Sequence, residues 1–182
     1  HYRIEEVTAP DGYVVNKNYV EITVDSDTAY EVDGVSGDVI IEVSYEDQPV
    51  KGNLIVYKKG EMLSGFENDF IYEEQYLSGA EFEVRAAEDI CTPDHQKDAD
   101  GNRIVLYAKD TLVATITTGE SGKAVAKDLP LGRYYVVETK APEGFVLNPE
   151  PVTVALTYQD QETPVVEAEA MVGNIRSFVW HL

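Results

Sequence analysis

The chain has 182 residues, enough for one good-sized domain and part of another. Its 34 acidic residues outnumber the 14 basic ones and give a formal net charge of −20. This balance excludes proteins that bind nucleic acid or anionic membrane surfaces, because both need a basic footprint. The single cysteine, Cys91, excludes an intrachain disulfide framework. No apolar run is long enough to span a bilayer, so we expect no membrane insertion of this segment.

The first fifty residues have the pattern of short β-strands. Val39, Ile41, Val43 and Tyr45 alternate with other residues and share one face. Asp-Gly pairs at 11–12 and 33–34 are turn signals. The segments predicted to be strands are 2–7, 19–24 and 38–45. Residues 48–52 follow as a short junction without a flexible Gly/Ser run, which predicts a stiff connection to the rest of the chain.

The remaining chain has many short β-branched and aromatic runs, separated by Gly, Pro and Asp. This pattern favours a β-sandwich over any helical fold. Residues 61–76 show neither the two-residue period of a strand nor the 3.6-residue period of a helix. They are interpreted as an insertion loop with a helical turn. The segments predicted to be strands are 53–59, 80–87, 104–108, 111–118, 133–139, 152–158 and 164–172.

One stretch of fifteen residues occurs twice. Residues 2–16 read YRIEEVTAPDGYVVN and residues 134–148 read YYVVETKAPEGFVLN, so that Glu6 matches Glu138. Such self-similarity predicts a tandem repeat. We therefore interpret 1–50 as the C-terminal part of an incomplete repeat and 51–176 as a complete domain. The tail, 177–182, lies outside this pattern.

Three predicted strands each carry an apolar stripe that ends in a polar group. Successive residues on one face of a strand are two apart, so each stripe shares a face with its polar end. If all three stripes face the core, an amine, a carboxyl and an amide would meet in an apolar setting. A lone buried carboxylate must be neutral, paired or used in chemistry. The stripes are Leu54, Val56 and Lys58; Tyr134, Val136 and Glu138; and Ala170, Val172 and Asn174.

Four motifs in order carry a family resemblance. GNLIVYK at 52–58 places a lysine six residues after a glycine, and SGAEFEV at 78–84 follows it. YYVVETKAPEGF at 134–145 and VGN at 172–174 complete the set. Together they resemble the SpaA/Cna-B (prealbumin-like) domains of Gram-positive pilins and surface adhesins. The resemblance covers nearly the whole chain and implies an all-β, Ig-like or prealbumin-like sandwich.

The resemblance also implies a chemistry for the three polar groups. In the related domains, the matching lysine and asparagine join spontaneously in an intramolecular isopeptide bond, assisted by the glutamate. Lys58 would be the nucleophile, Asn174 the electrophile and Glu138 the acid–base that polarises the Asn174 carbonyl and shuttles protons. The reaction happens once per molecule, so no enzymatic turnover and no cofactor are expected. The residues taken singly favour the alternative that Lys58 and Glu138 form an ordinary ion pair and Asn174 is a strand-end residue.

The incomplete repeat keeps Glu6, and Asp47 stands at the position matching Asn174. An aspartate could serve the same role, losing water instead of ammonia. The matching lysine strand is absent from this chain, so we predict no bond there. The exposed half-sandwich could accept a strand from elsewhere by edge addition, and an arbitrary fragment boundary is the alternative explanation.

No metal site is expected. Asp98 opens a segment, DADGN, that resembles the start of an EF-hand calcium loop. Position 12 of such a loop must be a glutamate, but here it would be Lys109. Turn formation explains the segment better. Cys91 and His95 have no second Cys/His pair to complete a zinc site. No Ser/His/Asp constellation supports a hydrolase.

The resulting functional hypothesis is a structural stalk or pilin-like module of a Gram-positive cell-wall surface adhesin, located outside the cell. Its candidate partners are neighbouring repeats of the same polypeptide, host extracellular matrix and other surface subunits. The absence of a YPKN-like motif favours an adhesin stalk over a pilus shaft. The alternative is a binding module that itself recognises host matrix protein or glycan.

Overall fold

The computed structural model describes residues 1–28, 30–94 and 96–177, and every regular element in these ranges is a β-strand. His95 and residues 178–182 of the tail lie outside the described residues. Within the described ranges, no helix is long and apolar enough to cross a membrane.

In these ranges, six short strands precede residue 51 and ten strands follow it. The first six are β1 (Tyr2–Glu5), β2 (Tyr13–Val14), β3 (Tyr19–Ile22), β4 (Glu31–Val32), β5 (Val39–Ile40) and β6 (Gln48–Pro49). The next five are β7 (Lys51–Phe66), β8 (Phe70–Tyr76), β9 (Glu81–Ala86), β10 (Ile90–Cys91) and β11 (Val105–Tyr107). The last five are β12 (Leu112–Thr117), β13 (Lys123–Pro130), β14 (Gly132–Lys140), β15 (Val152–Leu156) and β16 (Val165–Asn174).

Two sheets enclose the core. One has the strand order β12-β9-β14-β15, and the other has the order β13-β7-β16, with β8 also paired to β7. Buried and partly exposed residues alternate along β9, and the buried ones pack against buried residues of β7, β13 and β16. The predicted all-β, prealbumin-like sandwich is confirmed.

The parallel pairing of β7 with β16 positions the candidate site. These are the first and last strands of the segment 51–176, and their register runs from Lys51 opposite Val165 to Gly60 opposite Asn174. Because parallel strands run in one direction, Lys58 and Asn174 lie near the same end of the sheet. Every other residue of β7 from Gly52 to Lys58 is buried, so the Lys58 side chain is directed into the core.

The prediction of a loop with a helical turn at 61–76 was wrong. β7 continues to Phe66 and pairs with β8 from Lys59 opposite Tyr76 to Phe66 opposite Phe70. We call this hairpin, residues 60–76, the arm. All residues of β8 are exposed, so neither face has the one-sided apolar pattern by which a strand is recognised in a sequence.

Two further strand predictions need correction. β13 was missed because its buried residues Ala124 and Ala126 are small and give a weak apolar signal. The strand predicted at 38–45 is paired only at Val39–Ile40. Residues 41, 43, 45 and 47 are still half-buried and alternate with exposed residues, as predicted for one face of a strand. Among the described residues, however, no strand pairs with this segment.

The repeated stretch has the same local structure in both copies. The Tyr13 N–H donates to the Pro10 carbonyl at 3.0 Å, and the Phe145 N–H donates to the Pro142 carbonyl at 3.1 Å. Each turn contains a glycine with positive φ, 88° in the first copy and 84° in the second. Both glycines adopt a conformation that disfavours side chains with a Cβ.

Backbone hydrogen bonds hold the junction between the first fifty residues and the sandwich. The Val50 N–H donates to the Gly12 carbonyl at 2.8 Å, and the Lys51 N–H donates to the Pro164 carbonyl at 3.0 Å. Val50 itself is 2% exposed and belongs to the core of the sandwich. The junction thus contains a buried anchor residue and lacks the features of a flexible linker.

Candidate functional site: a buried Lys–Glu–Asn cluster

The structure brings Lys58, Glu138 and Asn174 together inside the sandwich. Lys58 is fully buried on β7, Glu138 is 2% exposed on β14, and Asn174 is half-buried at the end of β16. Lys58 follows Leu54 and Val56 on the core face, as its position in the stripe predicts. The three polar groups therefore come from both sheets and meet near one end of the core.

Each of the three side chains contacts the other two. The Lys58 Nζ lies 2.9 Å from Glu138 Oε1 and donates a hydrogen bond to Asn174 Oδ1. The Asn174 Nδ2 donates to Glu138 Oε1 at 3.0 Å and to Oε2 at 2.9 Å. This closed triangle satisfies the polar groups that burial would otherwise leave unpaired.

Glu138 contacts the amide nitrogen of Asn174, whereas the expected contact was with its carbonyl. The carbonyl oxygen faces Lys58 instead. Glu138 thus lies between the amine that would attack and the nitrogen that would leave. In this position it can accept a proton from Lys58 and deliver one to the Asn174 Nδ2.

Burial lowers the pKa of the Lys58 amine, and the Glu138 carboxylate beside it opposes this shift. The Lys58 Nζ also lies 5.9 Å from the centre of the Phe82 ring, which is fully buried. An amine in such surroundings reaches its neutral, nucleophilic form more readily than an exposed lysine does.

A backbone group of the repeated stretch orients the carboxylate. The Asn148 N–H donates to Glu138 Oε2 at 2.8 Å, and the Asn148 side-chain nitrogen donates to the Gly173 carbonyl at 3.1 Å. Asn148 therefore ties the glutamate to the strand that carries Asn174. Sequence reasoning missed this residue, although it closes the repeated stretch and its counterpart is Asn16.

Close packing and a cleft define the surroundings of the cluster. A Cβ added to Gly60 would lie 2.5 Å from the Phe145 ring and 2.7 Å from Leu77, so only glycine fits opposite Asn174. A cleft of about 340 Å³ lies over the end of β16, lined by Lys59, Gly60, Glu61, Glu74, Gly173, Asn174 and Ile175. This cleft is open to solvent beside Asn174.

The first fifty residues repeat part of this geometry. The Asn16 N–H donates to Glu6 Oε2 at 2.6 Å, and the Asn16 side-chain nitrogen donates to the Glu46 carbonyl at 3.0 Å. Asp47 has one buried carboxylate oxygen without a hydrogen-bond partner. Burial raises the pKa of Asp47, and the neighbouring Glu6 adds to the shift. No salt bridge joins Asp47 to a lysine in the described part of the chain.

We expect no crosslink at Asp47, because no amine is placed against it. Replacing Asp47 with alanine should change the intact mass of the denatured chain only by the difference between the two residues. Intact-mass spectrometry of dilute wild-type and Asp47→Ala protein measures this. A loss of one water that is present in the wild type and absent from the variant would contradict the prediction.

The two other candidate metal motifs are the Asp98–Asn102 segment and the pair Cys91 and His95. Asp98 Oδ1 accepts from the Asp100 N–H at 3.0 Å and the Asn102 N–H at 2.8 Å, which is turn formation. Cys91 is a half-buried free cysteine, and His95 lies outside the described residues. Among the residues that are described, no group of three or more His, Cys, Asp or Glu could hold a metal ion.

A family model for the SpaA prealbumin-like fold domain matches residues 71–170. Among solved structures, the Bacillus anthracis TIE protein is 22% identical, over 96% of this chain and 25% of its own, with a TM-score of 0.53. This likeness shows the fold. No curated protein sequence matches the chain significantly.

Two pilin structures are also similar. The group B streptococcus pilus 2b backbone protein is 22% identical, over 76% of this chain and 47% of its own, with a TM-score of 0.41. The Corynebacterium diphtheriae major pilin SpaD is 24% identical, over 69% of this chain and 30% of its own, with a TM-score of 0.43. The chain spans less than half the length of each of these three proteins.

Proposed function

This chain belongs to the family of SpaA prealbumin-like domains, and from that membership we propose that it is a structural stalk module of a Gram-positive cell-wall surface protein. We further propose that an isopeptide bond between Lys58 and Asn174 holds it together. In this proposal, residues 51–176 form the complete domain and residues 1–50 the end of a preceding repeat. Neighbouring repeats and other surface subunits are its partners.

One observation carries the proposal. A fully buried lysine lies in contact with both a buried carboxylate and a side-chain amide, on strands from opposite ends of the domain. A buried ion pair alone is weak evidence for a stabilising role, because removing two charges from water offsets much of their attraction. The added amide supplies a reaction that converts the cluster into a neutral, covalent link.

The atoms of this reaction balance within the cluster. Lys58 first transfers a proton to Glu138, and its neutral Nζ attacks the Asn174 Cγ, forming the N–C bond. Glu138 then protonates the Asn174 Nδ2, and the Cγ–Nδ2 bond breaks to release ammonia. Glu138 then takes a second proton from Nζ. The products are an amide between Lys58 and Asn174, free ammonia and a neutral Glu138.

The bond would change how the domain carries tension. β7 enters at one end of the sheet and its parallel neighbour β16 leaves at the other, so pulling on the chain shears this pair. With Lys58 bonded to Asn174, tension passes from residues 51–58 directly to Asn174. The chain between Lys58 and Asn174, which are 116 positions apart in sequence, then bears no tension. This property suits a stalk.

The alternative function is an adhesin module that recognises host matrix protein or glycan. The arm favours it, because its apolar side chains are exposed, including Phe66 at 65% and Phe70 at 58%. Exposed apolar patches of this kind often mark interaction sites. The two functions are compatible in one molecule, since the arm and the crosslink use different residues.

The decisive experiment is the intact mass of the denatured chain. The wild type should be lighter than its sequence by one ammonia, and a branched peptide containing Lys58 and Asn174 should appear after digestion. Lys58→Ala should have its full sequence mass, whereas Lys59→Ala, the matched control on the opposite face of β7, should keep the deficit. A wild-type chain at its full mass would refute the crosslink and move the binding module ahead of the stalk.

A further inference from the structure

The arm is the largest part of the sandwich that the stalk function does not use. It extends beyond both sheets as two strands, and all of its residues except Gly60 and Gly65 are exposed. It carries five acidic residues and no basic ones. The acidic residues of the arm are Glu61, Glu67, Asp69, Glu73 and Glu74.

One face of the arm combines aromatic rings with carboxylates. Residues paired across two strands share a face, and so do alternate residues of one strand. This aromatic face is therefore formed by Glu61, Leu63 and Phe66 of β7 and by Phe70, Tyr72, Glu74 and Tyr76 of β8. The Phe66 and Phe70 rings contact each other near the tip, with their centres 5.3 Å apart. The other acidic residues flank the tip or lie on the reverse face.

The base of the arm already binds two cations of its own chain. The Lys59 Nζ lies 3.3 Å from Glu74 Oε2 and 5.1 Å from the centre of the Tyr76 ring. The Arg176 guanidinium lies 4.5 Å from the centre of the Tyr72 ring, and its Nε donates to the Glu61 carbonyl at 2.6 Å. Rings beside carboxylates attract cations in this way. Towards the tip, Glu67, Asp69 and Glu73 form no salt bridge with any described residue.

The arm also offers an unpaired strand edge. Within the described residues, β8 pairs with β7 on one side only. Every second residue of an edge strand directs its N–H and C=O outward, where an extended segment can pair with them. Strand addition of this kind derives its affinity from main-chain hydrogen bonds and its specificity from alternate side chains.

We propose that the arm binds an extended, basic polypeptide segment, which adds as a third strand along β8. The lysine or arginine side chains of that segment lie against the rings and carboxylates of the aromatic face and against the carboxylates at the tip, Glu67 and Asp69. A second copy of the arm is a poor partner, because each copy brings five carboxylates and no cation. This inference does not depend on the crosslink.

The test uses a synthetic peptide of about nine alternating lysine and valine residues, with its affinity measured by fluorescence anisotropy. The triple variant Glu61→Gln/Glu67→Gln/Asp69→Asn, which removes one carboxylate of the aromatic face and two at the tip, should weaken binding about tenfold, as the loss of three exposed charge pairs predicts. Because the whole chain is acidic, a matched control removes three exposed carboxylates elsewhere: Glu120→Gln/Glu143→Gln/Glu167→Gln. The control should bind within about twofold of the wild type, since none of its three sites lies on the arm.

Two further measurements separate strand addition from general attraction. The same peptide with alternate backbone nitrogens methylated keeps its charge but cannot pair with an edge, and should bind at least about tenfold more weakly. The amides of β8 should become protected from hydrogen exchange by the unmodified peptide. Equal losses in the arm and control variants, equal binding of the methylated peptide, or binding of neutral oligosaccharides in place of the peptide would each overturn the proposal.

Discussion

Replacing Glu138 with glutamine should leave the chain folded but at its full, uncrosslinked mass. Glutamine keeps the size of the side chain, yet it cannot accept the Lys58 proton or deliver one to the Asn174 amide nitrogen. Positioned acid–base groups typically contribute about 10²–10⁴-fold to a rate, so crosslinking should slow by that order. Intact-mass spectrometry at successive times after purification measures the fraction of chain that has lost ammonia.

The control for this variant is Glu81→Gln. Glu81 also pairs with a lysine, Lys140, at 2.7 Å, but this pair is exposed on the surface. The control should lose ammonia at the wild-type rate, and circular dichroism should show a β-rich fold for both variants. If Glu138→Gln crosslinks as fast as the wild type, Glu138 has no role in proton transfer.

Replacing Asn174 with alanine should lower the free energy of unfolding by about 4–5 kcal/mol, the chain-entropy value for a link that closes a loop of roughly 100 residues. The variant keeps the Lys58–Glu138 ion pair, so it removes the crosslink without leaving a buried charge unpaired. Urea unfolding followed by intrinsic fluorescence measures the difference. The midpoint should fall, because the unfolded chain regains the freedom that the link removes.

An exposed asparagine provides the matched control. Asn102→Ala changes a residue in a surface turn and should stay within about 0.5 kcal/mol of the wild type. A stability of Asn174→Ala equal to that of the control would show that no covalent link contributes. The comparison is informative only where the wild type has the ammonia deficit, so mass and unfolding are measured on the same preparation.

Strand parity was sufficient to predict that two of the three side chains are buried, but not that the three groups meet. Lys58 and Glu138 each end an apolar stripe, and a residue two positions from a buried one faces the same way. Both side chains are indeed buried. The contact of Glu138 with the Asn174 nitrogen was not predictable, since parity fixes the face of a side chain and leaves open which atoms of an amide it meets.

Other features escaped prediction for physical reasons. The arm is exposed on both faces, so its sequence lacks the periodicity that burial imposes on a strand. Asn148 acts partly through its backbone N–H, which every residue except proline possesses, and so it has little side-chain signature. Burial patterns therefore reveal a core from sequence, whereas exposed hairpins and main-chain contacts require the three-dimensional structure.

The pairing of β7 with β16 also means that synthesis and folding must be complete before the crosslink can form. The lysine belongs to the first strand of the segment and the asparagine to the last, 116 positions later. Contacts so distant in sequence form late, and β7 has no β16 to pair with until synthesis reaches Val165. A truncated or misfolded chain could not bring the amide to the amine. In the proposed reaction, the lost ammonia would therefore mark the molecules that completed both synthesis and folding.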